Sequence, residues 1–168
     1  GSRSLQAVVG GSADVVSGAF EHTLAMQARG QAMQAFVLQG RALQCVFAVS
    51  RKTMPNFKSL ADLKGKRIGV TAPGSSSHAI AIYILSSAGL KSNDVSYIGV
   101  GASSAAVAAM RSGQIDAFVN LDPVIAQLEK DNIIQILADT RVVEESDRIF
   151  NGPMVAGCLY APKRYIDK

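Results

Sequence analysis

Leu5-Gln6-Ala7-Val8-Val9-Gly10-Gly11-Ser12-Ala13-Asp14-Val15-Val16 has a second copy 102 positions on, Val107-Ala108-Ala109-Met110-Arg111-Ser112-Gly113-Gln114-Ile115-Asp116-Ala117-Phe118. Each copy reads as the close of an apolar helix, a glycine stop, two connecting residues, an aspartate and a β-prone run. One joint used twice predicts two α/β lobes, each presenting a loop just beyond its strand. Two lobes that face one another enclose a cleft, and clefts hold small molecules.

Outward from the first copy, residues 2–9 read as a helix, 13–16 as a buried strand and 20–28 as a helix stopped at Gly30. Two strand-like runs follow, 33–38 and 42–49, separated by a Gln39-Gly40-Arg41 turn. The polar stretch Ser50-Arg51-Lys52-Thr53-Met54-Pro55-Asn56 is the expected linker. Beyond it come a short helical turn closed by Gly65, a strand over 68–71 and a helix over 75–88. Ile80, Tyr83, Ile84 and Ala88 recur in that helix at three-and-four spacing. A strand over 95–100, an Ala-rich helix over 103–111 and a strand over 115–120 come next. A helix over 123–130, with Asp122 as its cap and Pro123 at its first position, leads to a strand over 133–137. Strands alternating with helices at these spacings predict a largely parallel sheet. After an acidic, polar passage over 144–148, the strand expected at 154–160 has no evident partner in the second lobe, so the chain is expected to cross back. The expected division is therefore 1–50 for the first part of lobe one, 51–140 for lobe two and 141–168 for the return. Two crossings make a hinge.

The chain of 168 residues is 48% apolar and 18% charged, a globular composition. Its net charge is +4, it has no run of Lys or Arg longer than two, and it has no Trp, which argues against a nucleic-acid partner. The small excess of positive charge suits either an anionic ligand or simple solubility. Cys45 and Cys158 match no zinc or redox spacing and are expected as buried thiols, with a disulfide between neighbouring strands as the alternative. No apolar run approaches the roughly 20 residues of a membrane span. The Gly1-Ser2 start reads as a cut edge.

The sharpest local signal is Thr71-Ala72-Pro73-Gly74-Ser75-Ser76-Ser77-His78. A strand ends, Pro-Gly turns the chain, and three hydroxyl residues open a helix. The first N–H groups of a helix lack internal partners and carry the positive end of its dipole, so a carboxylate, sulfonate or phosphate is the natural guest. The alternative is that one serine caps the helix and the others are exposed turn residues. A second signal is the pair of loops after the repeated strands, Ser17-Gly18-Ala19-Phe20 with Glu21-His22, and Asn120-Leu121-Asp122-Pro123. Ligands of open α/β sheets gather at the carboxyl ends of strands. Asp14 and Asp116 precede their strands and are expected to serve turn geometry. His22 and His78 are the only histidines; no strained Gly-x-Ser-x-Gly elbow and no metal-ligand spacing accompany them, so neither catalysis nor a metal or other cofactor is expected.

The 5–15 block, Leu60-Ala61-Asp62-Leu63-Lys64-Gly65-Lys66-Arg67-Ile68-Gly69-Val70 and Gly113-Gln114-Ile115-Asp116-Ala117, in that order, resemble the solute-binding proteins of ABC importers. The branch most similar is the nitrate, sulfonate and taurine type, which shares its fold with thiamine-precursor synthases. The resemblance implies an α/β, type II periplasmic-binding-protein-like fold: two lobes joined by a two-stranded hinge, with the first lobe incomplete because the family chain is close to twice this length. It implies a periplasmic protein that binds a small, anionic organic solute in the cleft and delivers it to a membrane permease. Ligand contacts carried over from the family are Ser17, Gly18 and Phe20; Ser75, Ser76, Ser77 and His78; and Asn120 and Asp122. Asn151, in the Asn151-Gly152-Pro153 return, is expected to face the cleft, and Gly1 and Ser2 to lie in another ligand-facing loop. Phe20 and Phe118 are the candidate aromatic pocket residues, Phe118 being the better core residue. Unpaired sheet edges of an incomplete lobe would favour self-association. A synthase of the same fold and a ligand-sensing module are the competing functions; the synthase reading needs an iron site that two distant cysteines do not supply.

Overall fold

In the computed structural model, which describes residues 2–168, the repeated helix stop recurs bond for bond. After helix α1 (Ser2–Val9), Gly11 N–H donates to the Val8 carbonyl at 3.2 Å and Ser12 N–H to the Ala7 carbonyl at 2.8 Å. After helix α4 (Ser104–Ser112), Gly113 N–H donates to Met110 at 3.2 Å and Gln114 N–H to Ala109 at 3.0 Å. Both glycines are left-handed, with φ of +78° and +82°, which is what this paired-bond termination requires and why glycine stands there.

The remaining elements are β1 (Val16–Ala19), α2 (Glu21–Gln27), β2 (Met33–Leu38), β3 (Cys45–Ser50), β4 (Arg67–Val70), α3 (Ser76–Ser87), β5 (Ser96–Gly99), β6 (Ala117–Leu121), α5 (Val124–Lys130), β7 (Ile134–Asp139), α6 (Val143–Phe150), β8 (Gly157–Pro162) and α7 (Lys163–Ile166). They divide into two compact units. The first holds 1–43 and 142–168, the second 44–141. The first crossing thus falls between Leu43 and Gln44, not in the polar 50–56 stretch, and β3 belongs to the second unit. Gln44, at φ +59°, breaks the extended run that the sequence suggested over 42–49, and the strand starts only at Cys45.

The first unit is a three-stranded sheet in the order β1-β8-β2, the second a five-stranded sheet in the order β5-β4-β6-β3-β7. The expected largely parallel sheet is realised only for β4, which runs parallel to both β5 and β6. β3 is antiparallel to β6 and β7, and β8 is antiparallel to β1 and β2. The physical reason is the same in both units. A strand–helix–strand passage (β1-α2-β2, β6-α5-β7) leaves a gap between its parallel strands, and a strand entering from elsewhere in the chain fills it in the opposite sense.

Two further expectations are corrected. The strand placed at 13–16 begins instead at Val16, because Ser12 and Ala13 N–H are both tied back to the Ala7 carbonyl, so Ser17 and Gly18 are strand residues and not loop residues. The acidic passage over 144–148 is helical, within α6, and Glu144 and Glu145 fall in its first turn, where the helix dipole favours them.

The cores form around the inserted strands. In the second unit Val46, Ala48, Met110, Ile115, Phe118, Ile125 and Leu128 pack together, and in the first Val8, Val16, Met26, Met33, Cys158 and Tyr160. Cys45 and Cys158 are buried thiols in separate sheets.

Candidate functional site

The carboxyl ends of β4, β5 and β6 lie on one side of the second sheet, and one bonded network joins them. β4 gives way to a turn in which Gly74 takes φ +76° and Ser75 an extended conformation (φ −83°, ψ 170°) ahead of α3. The Ser75 carbonyl accepts the N–H groups of His78 and Ala79, each at 3.1 Å. The hydroxyls of Thr71, Ser75 and Ser77 stand 2.9 Å from one another, and Ser77 Oγ also accepts the Thr71 N–H at 2.9 Å. Three hydroxyls in a triangle use one proton each, so the ring is closed and Ser75 and Ser77 are buried in it. Their work is to hold the turn. What α3 leaves to a guest is its first-turn N–H groups and the half-buried Ser76.

His78 Nδ1 accepts the Gly74 N–H at 3.0 Å, which puts the ring proton of the neutral form on Nε2. The ring meets Tyr97 edge-on, centroids 4.3 Å apart, and burial holds its pKa below the usual histidine value. Nε2 is shielded and has no protein hydrogen bond, so the side chain keeps a directed donor.

Gly101 N–H donates to the Thr71 carbonyl at 3.1 Å, and Asn120 Nδ2 donates to the Gly101 carbonyl at 2.9 Å. Asn120 Oδ1 accepts the Leu121 N–H at 2.9 Å, so this fully buried amide is used at both ends. Ser75, Ser76, Ser77, His78 and Asn120 are thus brought together through Gly101. Thr71 and Gly101 were not singled out as site residues, although a hydroxyl residue at the end of a strand before Pro-Gly is the signal for the first. Asp122 is exposed; its Oδ1 accepts the Ala126 N–H at 3.0 Å, capping α5, and its Oδ2 lies 3.3 Å from Arg141. Arg141 also reaches Asp139 at 2.7 Å and Glu129 at 3.4 Å.

Ser77→Ala removes the acceptor of a part-buried N–H and opens the hydroxyl ring. It is expected to cost about 1–3 kcal/mol, the penalty for leaving such groups unpaired, read as a lower urea midpoint at unchanged slope.

In the first unit the candidates are more scattered. Ser17 is exposed on β1 and donates to Gln39 Oε1 at 2.9 Å. Gly18 lies where an added Cβ would stand 3.1 Å from Val16 Cγ1 and 3.3 Å from the Tyr160 hydroxyl. Phe20 packs against the core and borders a cavity of about 290 Å³ shared with Ala35, Val37, Leu38 and Cys158. Asn151 is exposed and left-handed (φ 57°), closing α6. Gly1 lies outside the described residues, and Ser2 opens α1 instead of sitting in a loop. Next to Phe20, His22 is buried with Nδ1 3.2 Å from the Tyr160 hydroxyl; burial lowers its pKa and pushes that of Tyr160 up to about 12.

Among the described residues no cluster of three His, Cys, Asp or Glu side chains could hold a metal ion, and no helix is long and apolar enough to cross a membrane.

Residues 2–158 match the family described as "ABC transporter, phosphonate, periplasmic substrate-binding protein". The chain belongs to this family. The chain is similar to a solved structure from Bordetella bronchiseptica RB50, at 58% identity and a TM-score of 0.94, covering 99% of this chain and 52% of that one. It is also similar to the alkanesulfonate-binding protein SsuA from Xanthomonas axonopodis pv. citri bound to MOPS, at 26% identity and a TM-score of 0.73, covering 97% of this chain and 52% of that one. The periplasmic aliphatic sulphonate binding protein SsuA from Escherichia coli is similar at 26% identity and a TM-score of 0.71, with 98% and 53% covered. No curated protein matches the sequence. The chain spans about half the length of these solved relatives.

Proposed function

We propose that the protein to which this chain belongs binds a small oxyanion-bearing organic solute, of the sulfonate or phosphonate class, outside the cytoplasm and delivers it to the permease of an ABC importer. The observation that carries the reading is the start of α3. A helix of 12 residues opens at the carboxyl end of a parallel strand, its first turn fixed by the Thr71–Ser75–Ser77 hydroxyl ring and flanked by the Nε2–H of a neutral His78. N–H groups, an oriented dipole and neutral donors stabilise an oxyanion without introducing a full countercharge. We place the contacts at Ser76 and His78, with Asn120 holding the adjoining loop, and keep Ser17, Gly18, Phe20, Asp122 and Asn151 as further contacts of the same solute. Sulfonate binding by two SsuA relatives supports the class, as does the phosphonate description of the family. Binding without chemistry suits a site that holds donors and no nucleophile–base pair.

Calorimetric titration of the full-length protein with propanesulfonate, taurine, methylphosphonate and nitrate tests this. At least one is expected to release heat and, at a hundredfold excess over its Kd, to stabilise the fold by about 2.7 kcal/mol. His78→Ala is expected to weaken that solute about tenfold, the loss of one hydrogen bond to a charged group. Four silent titrations would refute the anion reading.

A further inference from the structure

The connections that enter the amino ends of the second unit's strands carry an uneven share of its charge. β3 runs antiparallel to β6 and β7, and β4 runs parallel to β6. The 51–66 connection therefore returns to the end at which β4, β5, β6 and β7 all begin. It holds Arg51, Lys52, Lys58, Lys64 and Lys66 against a single carboxylate, Asp62. The other three entries add Lys91 with Asp94, Arg111 with Asp116 and Lys130 with Asp131, and Arg67 opens β4 itself. This end thus has nine cations and four carboxylates, an excess of five, where the whole chain has an excess of four. The opposite end has the reverse sign: Asp122, Glu129 and Asp139 gather on Arg141.

Internal bonds use only part of the excess. Arg67 is taken by Asp116, Arg111 by Asp131 and Lys64 by Asp94. Arg51 donates to the Ile134 carbonyl at 2.9 Å. Lys52 Nζ donates to the Arg111 and Ser112 carbonyls at 3.2 and 3.1 Å, at the negative end of α4. Lys58, Lys91 and Lys130, one from each of three connections, are exposed and make no ion pair among the described residues. Between the cations Pro55 is exposed and Phe57 half-buried, and with Met54, Asn56 and Lys66 they border a cavity of about 260 Å³.

We propose that the amino end of the second unit is a docking surface for a bilayer that carries anionic phospholipid headgroups. Cations drawn from four separate connections make a broad face and not a groove, which suits a plane of phosphates. Each Lys or Arg near an anionic bilayer is worth about fivefold in affinity. Pro55 and Phe57 add apolar surface among the cations, the mixture a headgroup layer accepts. The choice of a membrane rests on the extracytoplasmic location proposed above. Residence there raises the protein's local concentration at the permease and leaves the carboxyl-end site free.

Co-sedimentation of the full-length protein with lipid vesicles tests this. Binding is expected on mixed phosphatidylglycerol and phosphatidylcholine vesicles at low salt, and none on phosphatidylcholine alone. It is expected to fall at least about tenfold at about 0.5 M salt, where screening acts within about 4 Å. The triple variant Lys58→Gln, Lys91→Gln and Lys130→Gln is expected to bind on the order of a hundredfold more weakly, while arginine at the same three positions restores binding. Its calorimetric response to the solute is expected to be unchanged, which separates failure here from failure of the solute reading. Equal binding to neutral vesicles would overturn the proposal, as would undiminished binding by the glutamine variant. So would an equal loss in Arg29→Gln with Arg41→Gln, two exposed arginines of the first unit, which would assign the effect to net charge. Binding to dissolved heparin but to no vesicle would also overturn it and make a soluble polyanion the partner.

Discussion

Phe118→Ala is expected to destabilise the second unit by about 3–5 kcal/mol, the range for deleting a fully buried aromatic side chain. Phe118 is fully buried on β6, opposite Ala48 of β3 and Gly69 of β4. The two small neighbours are the reason it fits: a Cβ on Gly69 would come within 3.1 Å of Phe118 Cβ and 2.6 Å of Ile115 Cδ1. The ring therefore fills space that no neighbour can re-enter, and the cavity term is added to the lost transfer term. In a urea titration the midpoint should fall with the slope preserved. A loss below about 1 kcal/mol would show that the layer collapses around the gap and that Phe118 does not anchor it.

Asp116→Ala is expected to cost about 3 kcal/mol, the low end for breaking a buried, hydrogen-bonded ion pair because Arg67 remains nearly half exposed. Three donors lose their acceptor at once, and the joint between α4 and β6 loses its tie to the start of β4. Burial pushes the Asp116 carboxyl up, but the side-chain and backbone bonds from Arg67 outweigh it and hold the group below the usual aspartate range. Because the folded-state pKa is depressed, the stabilisation is fully present above the unfolded value of about 3.9 and is lost as pH falls through the folded one. Wild-type and Asp116→Ala melting points should therefore differ at pH 7, begin to approach one another only below about pH 4, and meet once pH has fallen past the depressed folded-state value. A difference that persists at acid pH would assign the effect to packing.

The joint that decided the fold was legible because glycine stops and apolar spacing are local. Gly11 and Gly113 behave alike down to the partners of their hydrogen bonds. The boundary between the units was not legible. Residues 42–49 are apolar enough to continue a hairpin with β2, and only Gln44 at φ +59° and the distant pairing with β6 and β7 send β3 to the other unit. Strand direction escaped for the same reason, since insertion of β8 and β3 is a long-range event that neither insert announces in its own composition. At the site, Ser75 to His78 and Asn120 were visible as residue types. That Ser75 and Ser77 spend their hydroxyls on Thr71 and on each other required geometry, because helix-opening serines look alike whether they cap or bind.

The place of β8 sets the order in which the polypeptide can mature on the ribosome. Among the described residues β1 and β2 do not pair with each other; each is paired to β8, which begins at Gly157, 119 positions after β2 ends at Leu38. The second unit holds every one of its strands once Asp139 has emerged and can close by itself. The first unit's β1 and β2 cannot be joined into one sheet until the β8 segment, Gly157–Pro162, has left the exit tunnel. During that interval holdase chaperones have their opening, and a translational pause between Asp139 and Gly157 would lengthen it.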